Sequence, residues 1–231
     1  MTTTTEVPSA LADATPVAGP GRLRLVAGTL AVASIALAVL VVTHPWGDRL
    51  DSSADDVLSY GGLPTDPDTA WAAMLVDVFV FGVVAVCLAI GTCHLVRGRG
   101  RVAAATGSVL VVAGGLLSAM GGFAFATITW FATELPEASG RDLVSVANDN
   151  VAQLLGAEMA GFLCVTLGSL VLAAALFRAR AVPRLAITAY VVLTVALFVG
   201  LSETAMDLAQ AAQVLVAGAL AVPLWRSAAR A

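Results

Sequence analysis

Long apolar runs separated by short charged loops constrain this chain more than any other feature. Six of them occur, at about 25–43, 70–96, 102–131, 150–177, 183–200 and 203–225. Each is close to or above the ~20 residues that carry an α-helix across ~30 Å of hydrocarbon. A helix meets that environment because it satisfies its backbone hydrogen bonds internally. The predicted fold is therefore an all-α membrane protein, a bundle of six transmembrane helices.

Composition agrees. Of 231 residues, 59% are hydrophobic and 12% charged, and the mean hydropathy is +0.91. A soluble domain carries about 25% charged residues, so little of the chain is left for one. All twelve basic residues are Arg, read as a GC-rich codon bias of the kind found in actinobacteria. Cys87, Cys93 and Cys164 lie inside apolar runs, which implies small packing residues and no disulfide framework.

Arginine placement sets the threading. Arg22, Arg24, Arg97, Arg99, Arg101, Arg178, Arg180, Arg184, Arg226 and Arg230 fall on one side, and Arg49 and Arg141 on the other. The opposite loops hold Asp48, Asp51, Asp55, Asp56, Asp66 and Asp68, then Glu134, Glu137, Asp142 and Asp149. Both termini are thereby predicted in the cytoplasm. Trp46, Trp71, Trp130 and Trp225 fall at predicted helix ends, where amphipathic rings sit.

Residues 1–21 are rich in Thr, Ala, Pro and Gly and are expected to form a disordered tail. The first run is longer than a signal-peptide core and lacks a small-residue cleavage site, so it should remain as a span. Asp66-Pro67 is expected to start the second helix, and 200–202 to form a tight junction capped by Ser202. In the first outer loop, "SADDVLSY" is expected to form a short helix from Ser53 to the Gly61-Gly62 stop, lying over the outer mouth.

Small residues at i+4 spacing mark the third run (Gly114, Ser118, Gly122, Ala126) and the fourth (Gly156, Ala160, Cys164, Gly168). Such stripes let helix backbones approach closely in lipid. They predict two central, closely packed helices, and such stripes serve internal packing or a dimer face about equally well, so a homo-oligomer or a membrane-protein partner could use them.

Asp77, Glu158 and Asp207 interrupt three runs of the same direction. Asp77 lies 20 residues before Arg97, Glu158 20 before Arg178, and Asp207 19 before Arg226. At ~1.5 Å per residue all three share a level roughly 28–30 Å from the arginines. Glu203, Asp207, Gln210 and Gln213 form one slowly drifting stripe on the last helix. If that stripe points inward, Asp77, Glu158, Glu203, Asp207 and Gln210 line an outward-facing acidic pocket, with Gln153 nearby. Such a cluster would need protons or a bound cation. Alternatively the acids snorkel to water, because carboxylates near an interface cost only about 0–1 kcal/mol.

Other chemistry finds no support. His44 and His94 sit at opposite ends of the first and second runs and cannot share an ion, so no metal site is implied. The chain has no nucleophile elbow, Walker loop, HExxH or dinucleotide fingerprint, so neither an enzyme nor a cofactor is expected. Topology and anionic headgroups account for the inner arginines, and nucleic-acid binding is not expected. An echo at an offset of 81 residues relates Asp77…"RGRGR" to Glu158…"RARAVPR".

The tail, the first run, the loop "SADDVLSYGGLPTDPDTAW" and the second run leading into "RGRGR" resemble a family of uncharacterised six-span bacterial membrane proteins common in actinobacteria. The layout is shared over roughly residues 22–200. The resemblance implies a six-helix plasma-membrane bundle and transfers no catalytic or binding residue.

Three functional readings follow. One is an acidic site for a cation, a proton or a small cationic solute. Another is a structural or accessory subunit of an envelope complex, without a ligand. A secondary transporter is the third, weakened by inner halves with few polar residues. The lipid bilayer is the one certain partner.

Overall fold

The computed structural model describes residues 19–44, 57–199 and 202–230, and for Glu203 the backbone alone. Among these residues every regular element is helical. The helices are α1 (Pro20–Thr43), α2 (Pro67–Leu95), α3 (Arg101–Glu134), α4 (Glu137–Asp149), α5 (Val151–Ala179), α6 (Arg184–Ala196), α7 (Glu203–Gly218) and α8 (Ala221–Ala228). Five segments are long and apolar enough to cross a membrane: α1, α2, α3, α5 and the combined stretch Thr204–Ala228.

The expected fifth run does not match them. It forms α6, 13 residues long, or about 20 Å at 1.5 Å per residue. Phe198 and Val199 then close tight turns, their N–H groups donating to Val195 and Ala196 carbonyls at 3.0 and 3.1 Å. The cause lies in the sequence. Val191, Val192, Thr194 and Val195 are β-branched and helix-weak, and the Thr194 hydroxyl donates back to the Tyr190 carbonyl at 2.8 Å, a bond that bends helices.

Other boundaries also shift. Helix α1 already begins at Pro20, inside the segment expected to be disordered; residues 1–18 lie outside the described part. The last run is broken after Gly218, because Pro223 offers no N–H and crowds the carbonyl of Ala219. Asp66 does start α2. Its carboxylate accepts from the Thr69 hydroxyl and from the Thr69 N–H at 3.2 Å, which holds it below the usual carboxylate range. Ser202 sits at the N-cap of α7 without a side-chain cap bond, and the rest of the expected 200–202 junction lies outside the described residues.

The helices close a ring. α1 packs on α2, α2 on α3, α3 on α5, α5 on α6, α6 on α7, and α7 and α8 back on α1. The largest interface is α3 against α5. A Cβ built on Gly114 would stand 2.7 Å from the Gly161 carbonyl oxygen, and one on Gly168 2.8 Å from the Val111 nitrogen. A Cβ on Gly107 would stand 2.8 Å from the Gly168 carbonyl oxygen, and one on Gly121 2.5 Å from Glu158 Cβ. The seam thus repeats every seven residues on α3 (107, 114, 121) and on α5 (161, 168), the period of a left-handed crossing.

That corrects the expected i+4 stripes. Gly114 and Gly168 are in the seam as expected. Gly156 has nothing within 4 Å of a built Cβ, Ala160 is exposed, and Gly122 faces Val78 of α2 instead. Gly115 likewise faces Ala85 of α2. Each glycine pair on α3 therefore gives one member to α5 and the next to α2.

A small cap covers the end opposite the main arginine clusters, built on α4 and on the described part of "SADDVLSY", residues 57–60. Ser53 and Asp56 lie outside the described residues, and Tyr60–Gly62 form one 3-10 turn that includes the expected stop. Asn148 straps this loop to α4. Its Oδ1 accepts from the Val57 and Leu58 N–H groups at 3.1 and 3.0 Å, and its Nδ2 donates to the Leu58 carbonyl at 2.9 Å. Leu58 fills a core with Ala132, Val144, Ala147 and Leu154. Trp130 Nε1 donates to Asp68 Oδ1 at 2.8 Å, tying the end of α3 to the start of α2.

Candidate functional site

Asp77 and Glu158 approach one another because α3 carries no side chains between them. Gly121 admits the backbone of Glu158, a built Cβ standing 2.7 Å from its nitrogen; Gly122 admits Val78, next to Asp77, at 2.5 Å from Cγ2. Glu158 of α5 and Asp77 of α2 are thereby drawn in on the two sides of the same Gly121-Gly122 pair. Asp77 Oδ1 is fully buried and has no hydrogen-bond partner among the described residues. Both side chains are half-buried.

This pair is an arrangement that water usually prevents. Removing a carboxylate from water costs several kcal/mol unless a partner compensates, and two neighbouring ones repel. No described Arg side chain hydrogen-bonds or ion-pairs with either acid. A proton shared between them, or a small cation held by both, would supply what is missing.

The other expected site residues are placed differently. Asp207 meets His44 Nε2 at 3.7 Å, at the far end of α1, both side chains being largely covered. Helix α7 packs on α1 and α6 and makes no substantial interface with α2 or α5. Gln210 and Gln153 are exposed. The Glu203 side chain lies outside the described residues. The structure therefore sets two of the expected acids on either side of one glycine pair of α3 and gives the third a separate partner.

A second polar group lies closer to the middle of the ring. Gln213 Nε2 of α7 donates to Thr194 Oγ1 of α6 at 2.8 Å, and Tyr190 and Ser169 line the cavity next to this bond. Towards the arginines this cluster gives way to a mainly apolar cavity of about 60 Å³. Helices α2, α5, α6 and α7 all bound it, so it lies inside the ring. Thr92 is among its walls, fully buried, its hydroxyl without a hydrogen-bond partner among the described residues. The inner half is thus less featureless than expected.

At the arginine end, His94 Nε2 stands 3.0 Å from Ser227 Oγ and 3.3 Å from an Arg97 nitrogen, joining α2 to α8. His44 and His94 are at opposite ends, as expected. Among the described residues no three His, Cys, Asp or Glu side chains gather as metal ligands do. No family model, curated protein or solved structure matches the chain.

Proposed function

We propose that this chain is a six-span protein of the plasma membrane, both termini cytoplasmic, which binds a proton or a small cation from outside on Asp77 and Glu158. One observation carries the site: a buried, unpartnered Asp77 oxygen, with Glu158 brought in across the same glycine pair of α3. The arginine distribution supports the orientation. The sixth crossing is supported by connectivity, since α5 and α8 both end in arginines of one side and α6 must return the chain between them. Its 13 residues reach about two-thirds of the hydrocarbon thickness, so the bilayer is thinned there or the following turn completes the crossing.

A thermal-shift screen across pH, monovalent and divalent cations and small amines tests the site. The parent should gain stability with at least one cation, and Asp77→Asn and Glu158→Gln should each lose that gain. Asp207→Asn should retain it, because Asp207 belongs with His44. Identical responses from all four proteins would leave the acids as solvated helix ends, as in a structural or accessory subunit.

The polar cluster and the cavity favour a secondary transporter as the second reading. Ser169, Tyr190, Thr194 and Gln213 continue polar groups inward from the acid level, and sites between helices near the midplane are typical of transporters. Cation-dependent uptake into proteoliposomes, lost in Asp77→Asn, would establish it.

A further inference from the structure

Resting on the membrane reading but on none of the acidic residues, we infer that Arg178, Arg180 and Arg184 form a binding site for the phosphate headgroup of an anionic membrane lipid. The three arginines line one open groove of about 520 Å³ between the end of α5, the start of α6 and the start of α3. Its floor is apolar, made by Ala103, Ala174 and Phe177. A phosphate over an apolar floor is the chemistry of a phospholipid at the bilayer boundary.

The groove differs from ordinary positive-inside arginines. Arg97, also at this end, is turned back on its own helix, its Nε donating to the His94 carbonyl at 3.4 Å. None of the three groove arginines has an ion pair among the described residues. Arg184 lies over the Phe177 ring at 5.4 Å, which fixes its direction. Arg180 is held at φ 53° as the C-cap of α5, a left-handed conformation that turns the chain sharply into α6. Three like charges are thereby confined to one turn, and an anion relieves their repulsion.

Two helix starts add to the same field. Helix α3 is capped by Gly100 and α6 by Pro183, neither supplying a side-chain acceptor. Gly100 abuts α5, a built Cβ lying 3.4 Å from the Ala175 carbonyl oxygen, so the first turn of α3 borders the groove. First-turn N–H groups and the positive ends of the helix dipoles both favour an anion there.

The test uses the full chain in nanodiscs and counts retained lipids by native mass spectrometry. Phosphatidylglycerol is the probe, phosphatidylcholine the neutral comparison and inorganic phosphate the competitor. The parent should retain phosphatidylglycerol selectively. Each of Arg178→Gln, Arg180→Gln and Arg184→Gln should weaken retention by about fivefold, equivalent to about 1 kcal/mol per arginine. Arg99→Gln, outside the groove, should not. Helix content and Tm in phosphatidylcholine check folding, and the single variants decide the matter if the triple variant unfolds. Equal retention of the two lipids, or equal losses from Arg99→Gln and the groove variants, would overturn the site. Displacement by millimolar inorganic phosphate would overturn the assignment to a lipid.

Discussion

Replacing Gly161 by Ala should destabilise the protein far more than the same change at Gly156, five residues earlier on the same helix. A Cβ at Gly161 would stand 2.5 Å from both the nitrogen and Oγ of Ser118 and 2.7 Å from the Gly114 carbonyl oxygen, whereas ordinary contact begins at 3.4 Å. Two of these atoms are backbone, so no rotamer change relieves them and the helices must separate along the seam. Overpacking of this kind costs about 1–3 kcal/mol, here towards the upper end. Alanine returns up to about 1 kcal/mol of helix propensity, which leaves a net loss of about 2 kcal/mol. At Gly156 nothing lies within 4 Å of the new carbon, so only the propensity gain remains. Thermal unfolding in detergent, followed by tryptophan fluorescence, reads both variants. The expected result is a Tm lowered by several degrees for Gly161→Ala and unchanged or raised for Gly156→Ala. Equal Tm values would refute the seam and place Gly161 against lipid.

Three further outcomes follow from the contacts. Asn148→Ala removes the acceptor for two backbone N–H groups and the donor to one carbonyl; exposing that loop should cost about 1–3 kcal/mol and speed proteolysis between α1 and α2. Thr194→Val should lower Tm by an amount equivalent to about 1 kcal/mol or more, since it withdraws the acceptor of the Gln213 side chain; an unchanged Tm would mean that Gln213 is satisfied elsewhere. His94→Ala should loosen α8 without disturbing the cap, read as faster hydrogen exchange confined to 221–228.

The helices were legible because apolar length alone dictates them in a bilayer. Five of the six runs became segments long and apolar enough to cross a membrane, and Asp66 capped the second as its sequence implied. The fifth run fell short because length in apolar residues is not length in helix, and the β-branched stretch around Thr194 ends α6 early. Helix α4 went unread because its burial rests on Gly140, Val144 and Ala147, a narrow stripe within a polar loop. The true seam was present in "AGGLLSAMGGF", where two Gly-Gly pairs stand seven apart. Reading i+4 stripes selected Gly122 for the wrong neighbour.

The placement of the acids was half legible for a similar reason. Depth counted from the arginines placed Asp77, Glu158 and Asp207 at one level, but depth says nothing about position around the ring. His44 follows α1 immediately and offers Asp207 a partner, a pairing that only the α1–α7 interface reveals. The Ser169, Tyr190, Thr194 and Gln213 cluster was invisible because each member is unremarkable alone, and their convergence depends on three helices.

Infrared difference spectroscopy on the purified protein in lipid tests the acid pair most directly. In neutral buffer containing only bulky organic cations, Asp77 and Glu158 should not both be free anions. A protonated carboxyl band is therefore predicted, removed by Asp77→Asn or Glu158→Gln and unaltered by Asp207→Asn. Two fully ionised carboxylates under those conditions, with spectra unchanged by either substitution, would contradict the account.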